Sequence, residues 1–162
     1  MTQTQQTGID SQVAGYAVTI PGHLAPHTLT IKGRLPGLNE YTAANRTHPQ
    51  KGAEMKSQAQ DTVMWHILTQ IRRVKFEKPV FMLFTFYEKD KRRDRDNVSS
   101  FARKVIQDAL VKSGTLKNDG WDQVTGYLDR FLVDKENPRI VVEFIEQEES
   151  QCKTKQGKSL NK

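Results

Sequence analysis

The stretch Pro79-Val80-Phe81-Met82-Leu83-Phe84-Thr85-Phe86-Tyr87 constrains this chain more than any other. It is β-branched and aromatic, and far shorter than the roughly 18 apolar residues of a membrane span. A strand sends alternate side chains to opposite faces, so a run apolar at nearly every position predicts a central strand buried on both. Helices can cover one face. The other calls for more protein, and a dimer interface would serve. At Lys89 the run stops abruptly. Lys89, Lys91, Arg92, Arg93 and Arg95 follow, interleaved with Asp90, Asp94 and Asp96.

Other segments carry their own periods. Thr28 to Arg34 alternates apolar and polar residues, which predicts a strand, and Leu35-Pro36-Gly37 ends it. Residues 38–49 read as a polar loop holding Tyr41 and several hydrogen-bond donors. From Gly52 to Arg73 the residues Ala59, Val63, Ile67 and Ile71 recur every fourth position, which predicts a helix. A second helix is predicted from Asn97 to Lys112, where Val98, Phe101, Ala102, Val105, Ala109 and Leu110 make one apolar face. Gly114 is a natural stop. Val124–Val133 and Arg139–Ile145 read as strands joined by a hairpin turn over Asp134–Pro138. The fold expected is α+β, a single domain over residues 28–147. Its order is β-α-β-α-β-β, a mixed sheet packed against two helices. Residues 1–27 are expected to be a flexible leader and residues 148–162 a disordered Lys-rich tail.

The chain carries 25 Lys and Arg against 19 Asp and Glu, a formal charge of +6. A polyanion partner is one reading of that excess, and an ordinary solvated surface is the other. The start lacks the basic and apolar regions of a signal peptide. Cys152 is the only cysteine, so an intramolecular disulfide is impossible and a cysteine zinc site is not expected. A cytoplasmic protein with no membrane segment is expected.

The chemistry concentrates between residues 89 and 124. If the strand direction persists past Tyr87, Asp94 and Asp96 point to one side, about 6.5 Å apart at Cα. Two carboxylates so placed can share one Mg2+, which takes oxygen ligands and keeps several waters. The plainer alternative makes Asp96 or Asn97 a helix N-cap and the remainder a solvated charge run. An EF-hand is excluded, because Ser99 and Val105 stand where its glycine and glutamate belong. Asn97, Lys104 and Asp108 fall on one polar stripe of the second helix. Lys104 can meet a phosphate there or simply pair with Asp108. Beyond Gly114, Asp119 and Asp122 form a second acidic cluster around the turn dipeptide Asp119-Gly120. His23, His27 and His66 read as ordinary histidines rather than ligands.

Taken in order, Asp94-Arg95-Asp96-Asn97, Lys104, Asp108-Ala109-Leu110, Gly114, Asn118-Asp119 and Gln123-Val124 resemble the RusA family of Holliday-junction resolvases. Leu35-Pro36-Gly37-Leu38-Asn39-Glu40-Tyr41 resembles that family's first strand and loop, and the likeness runs over about residues 29–146. It implies a homodimeric, Mg2+-dependent endonuclease of branched DNA such as the four-way junction, with Mn2+ able to substitute. It implies metal ligation by Asp94, Asp96 and Asp119, a catalytic role for these three and for Lys104, and phosphate contacts from Lys89, Lys91, Arg92, Arg93 and Arg95. Asn118 stands where the family's second pair has its first acid. Two extra residues before Gln123 leave Asp122 competing with Asp119 for the third position.

Overall fold

The computed structural model describes residues 27–147. The elements run β1 (His27–Lys32), α1 (Leu38–Thr47), α2 (Pro49–Gln70), β2 (Val80–Glu88), α3 (Arg95–Lys112), β3 (Val124–Val133) and β4 (Arg139–Glu146). The α+β class with a mixed sheet is as expected. The leader and tail, Cys152 and His23 lie outside the described residues. His27 opens β1. Among the described residues no helix is long and apolar enough to cross a membrane.

The sheet order is β1-β4-β2-β3. β2 runs parallel to β3 and antiparallel to β4, and β4 runs antiparallel to β1. The apolar run is therefore an inner strand with partners on both sides. Val80, Met82, Phe84 and Phe86 of β2 join Leu29 and Ile31, Ile140, Val142 and Phe144, and the inner faces of α2 and α3 in one core. The rings of Phe84 and Phe86 are fully buried, and Phe131 stacks on Phe86 with centroids 5.2 Å apart. By strand alternation, Phe81, Leu83, Thr85 and Tyr87 lie on the opposite face. Leu83 and Thr85 are buried there and Phe81 and Tyr87 half-buried, but none of the four belongs to the core.

Two expectations about connections are corrected. Residues 134–138 do not close a hairpin, because β3 and β4 flank β2 instead of pairing with each other. The connection crosses the end of β2, where Asp134 N donates to Glu88 O at 2.8 Å. A short connection predicts neighbours, but an apolar strand that satisfies its backbone on both edges took the place between them.

The second correction is α1, a third helix where a loop was expected. Its sequence LNEYTAANRT has no fully buried residue and mixes Thr and Asn, poor helix formers. A ten-residue helix of this kind has little stability alone. Packing supplies what propensity lacks. The Tyr41 ring lies 4.7 Å from that of Phe101, and Asn39 N donates to Asn97 Oδ1 at 2.8 Å. Glu40 reaches back to accept from Gly37 N at 2.8 Å, closing the first turn. Gly52 on α2 lies so close to the Asn45 side chain that a Cβ there would overlap it.

Candidate functional site

Six residues connect the end of β2 to α3, which carries the chemistry along one side. Asp94 is its N-cap residue, with extended backbone at φ −63° and ψ 147°, and Asp96 falls in its first turn. The two acids therefore do not continue the alternation of β2, which ends at Glu88. Both are exposed. The Asp94 side chain caps no backbone N–H, while Asp96 Oδ1 accepts from Ser100 Oγ at 2.8 Å. A carboxylate at a helix N-terminus is favoured by the helix dipole, so these charges are tolerated without further partners.

Beside them lies a cleft of about 340 Å³, lined among others by Asp90, Lys91, Asp94, Arg95 and Phe131. It opens at the carboxyl ends of the parallel strands β2 and β3 and the N-terminus of α3. Open sheets of parallel strands bind ligands in this place, and a helix N-terminus turns backbone N–H groups toward an anion. Lys89, Lys91, Arg92 and Arg95 are exposed around it. The Arg95 guanidinium sits 5.7 Å from the Phe131 ring centroid. Arg93, expected to face a phosphate, turns inward. Its guanidinium donates to Glu88 at 2.7 and 3.2 Å and to Leu35 O at 3.1 Å.

Glu88 is the residue that sequence reasoning missed. It is buried, and it also pairs with Arg34 Nε at 3.1 Å. Through Arg93 it ties the cleft loop to the Leu35-Pro36-Gly37 segment. That segment packs on the start of α3, where a Cβ on Gly37 would come within 2.7 Å of Asn97 Oδ1. Gly37 thus permits a close approach that a larger residue would spoil. The only trace of this in the sequence is an acid placed at the end of an apolar strand, directly before a cluster of cations.

A second cluster forms two turns further along α3, about 12 Å above Asp96 by helical rise. Lys104 Nζ lies 2.7 Å from Asp108 Oδ1 and 2.9 Å from Asp119 Oδ2. Lys56 and Gln60 of α2 reach Asp108 Oδ2 at 2.9 and 3.3 Å. Of the two competing acids, Asp119 is the one that meets Lys104. Asp122 is exposed. Asp94, Asp96 and Asp119 are not gathered around one point. Among the described residues no group of three or more His, Cys, Asp or Glu side chains could hold a metal ion. Asp94 and Asp96 both lie at the N-terminus of α3, one as its N-cap and one in its first turn.

The charges of the second cluster hold one another. Hydrogen bonds that Lys104 donates to Asp108 and Asp119 raise its pKa. Its hydrogen bond in turn lowers that of Asp119. Burial pushes Asp108 upward, yet the hydrogen bonds of Lys104 and Lys56 outweigh it and hold the carboxyl low. The two depressed carboxyls stabilise the fold at neutral pH, and that contribution fades as pH falls through their folded pKa values. The raised Lys104 contributes below the usual lysine value and loses its effect at alkaline pH. Solvent screens the exposed Lys104–Asp119 pair, so its effect on stability is small. Lys104→Gln should move the Asp119 carboxyl titration upward, toward the ordinary value of about 3.9, in an NMR pH series. An unmoved Asp119 would mean that the pair does not form in solution.

Protein-family models and curated proteins give no match to the chain.

His66 is buried, with Nδ1 3.2 Å from Gln70 Nε2, and burial followed by the Lys32 charge lowers its pKa. His48 caps α2, accepting from Gln50 N at 3.2 Å. Both have structural employment.

Proposed function

We propose that the chain is a Mg2+-dependent, structure-selective DNA endonuclease of the RusA type, acting on four-way junctions and other branched DNA by phosphodiester hydrolysis. The observation that supports it is the cleft beside Asp94. There Asp94, at the N-terminus of α3, meets the exposed cations Lys91 and Arg95, with Asp96 in the first turn, and the Leu35–Tyr41 segment packs nearby through Asn97 and Arg93. These two segments carry most of the resemblance, and they are far apart in the sequence.

Asp94 and Asp96 would hold the ion. When bound, it would acidify a water and offset charge gathering on the phosphoryl oxygens. The residues of the chain provide the rest. Lys91 and Arg95 bind the phosphates that flank the scissile one. Lys89 and Arg92 extend the basic rim. Lys104, two turns away, adds positive charge along the same helix face, with Asp119 and Asp108 holding its ammonium in place. A symmetric homodimer suits a four-way junction, since two equivalent sites meet two equivalent strands. The second face of β2, where Phe81 and Tyr87 are half-buried, is where a second copy would sit.

The experiment is incubation with a labelled four-way junction and Mg2+, with the matching linear duplex as control and EDTA to remove the metal. Cleavage of the junction alone, abolished by EDTA, is the expected result. Binding without cleavage would make the chain a non-cleaving relative. Hydrolysis of small phosphate esters with no DNA binding would make it a different phosphoesterase. Four exposed cations at phosphates would steepen the salt dependence, so raising salt from 50 to 200 mM should weaken junction binding roughly 100-fold. A gel-shift series across that range measures it, and a flat response would remove the cations from the interface.

A further inference from the structure

We propose that Trp121 is a stacking platform for an exposed nucleobase face, of the kind that a DNA branch point or single strand offers and a continuous duplex does not. The inference rests on the nuclease reading and adds to it the element that recognises structure. Trp121 is 96% exposed, the largest apolar side chain to face solvent so fully among the described residues. A single exposed apolar residue is ordinary by itself. The mounting of this one is not. Gly120 N donates to Asn118 Oδ1 at 2.8 Å, and Gln123 N and Val124 N donate to Gly120 O at 3.1 and 2.9 Å. The buried Gln123 side chain donates to Phe76 O and Lys78 O at 3.3 and 2.9 Å, and the Gln123 backbone carbonyl accepts from Val80 N at 2.8 Å. The turn is thus pinned to the start of β2, and the indole stands out from an ordered base.

The neighbours narrow what the ring can meet. Asp119, two residues before it, reaches Lys104, so the ring and the second charged cluster share one turn. Asp119 and Asp122 flank the ring and repel phosphates from the turn itself. The described residues as a whole hold 21 Lys and Arg against 16 Asp and Glu, which still draws DNA to the molecule. What fits locally is an uncharged, flat surface. A nucleobase supplies that, and base–aromatic stacking tolerates any sequence. Inside a continuous duplex each base face is covered by its neighbour. At a branch point or in a single strand it is open. A ring this exposed is not enclosed, which argues against a small-molecule ligand.

The sequence contains two tryptophans, Trp65 and Trp121. The full chain with Trp65→Phe leaves Trp121 as the reporter. It is titrated without divalent metal against a four-way junction, the matching linear duplex and a thymidine oligonucleotide. The junction and the oligonucleotide should quench the indole fluorescence, and the duplex should not. In the otherwise native chain, Trp121→Ala should weaken junction binding about 5- to 150-fold, and Trp121→Phe should keep most of the affinity. Circular dichroism should be unchanged in both, because the ring packs on nothing. Unaltered junction affinity in Trp121→Ala overturns the inference alone when the wild type binds and cleaves. An equal loss on linear duplex overturns its branch selectivity. A changed sedimentation coefficient with unchanged DNA affinity assigns the ring to a protein contact instead. Failure of the wild type to bind any of the three DNAs overturns the nuclease reading and this inference with it.

Discussion

Asp94→Asn should lower Mg2+-dependent cleavage of a four-way junction by about 100- to 1,000-fold and leave junction binding within a few-fold of wild type. That magnitude is typical of removing one charge-stabilising group from a preorganised site. Asp94 is exposed and its side chain makes no cap hydrogen bond, so the amide substitutes without disturbing α3. The phosphate contacts come from Lys91 and Arg95, which the substitution leaves in place. Binding and cleavage therefore separate. Asp96→Asn should behave alike, though its hydrogen bond from Ser100 adds a small structural term. Quantitative cleavage by either variant would move the site away from the N-terminus of α3. The second charged cluster would then be the next place to look, with Asp119→Asn compared against Asp122→Asn.

Glu88→Ala should destabilise the fold by about 3–5 kcal/mol, the usual cost of removing one partner from a buried ion pair. The substitution leaves the Arg93 guanidinium, itself largely buried at 14% side-chain exposure, without its carboxylate. It also releases Arg34. Urea unfolding measures the loss as a lower midpoint at unchanged slope. Arg34→Ala is the informative companion, because Arg34 is more exposed and its removal leaves Glu88 still paired with Arg93. It should cost clearly less. The same change in Glu88 should depress cleavage more than stability explains, since Arg93 anchors the loop that carries Asp94 to the carbonyl of Leu35. A loss below about 1 kcal/mol would mean that water reaches this network and screens it.

Glu88 also shows why so much of the site stayed hidden in the sequence. Its partners Arg34 and Arg93 lie on opposite ends of a long separation, and Asp134 crosses behind it. No spacing rule links those positions. Lys104 is a contrast. Its pairing with Asp108 follows from an i,i+4 spacing and was legible, whereas its contact with Asp119 depends on how the chain turns after Gly114. Lys56 and Gln60 reach Asp108 from α2, and nothing in their own segment marks them.

The sequence by itself determined where the long helices and all four strands lie, because burial with a period of two or near four is written locally. It also located the charge-rich end of β2 and the polar stripe of α3. Tertiary structure alone decided the rest. It placed β3 and β4 on either side of β2, since backbone pairing is fixed by which edges are free. It made a helix of Leu38–Thr47, whose stability comes from Phe101, Asn97 and Gly52 rather than from its own residues. It also divided the acids of α3 and its following turn into two groups, one at the helix N-terminus and one around Lys104. Contacts of that kind gain free energy only once distant segments are held together, so no local pattern records them.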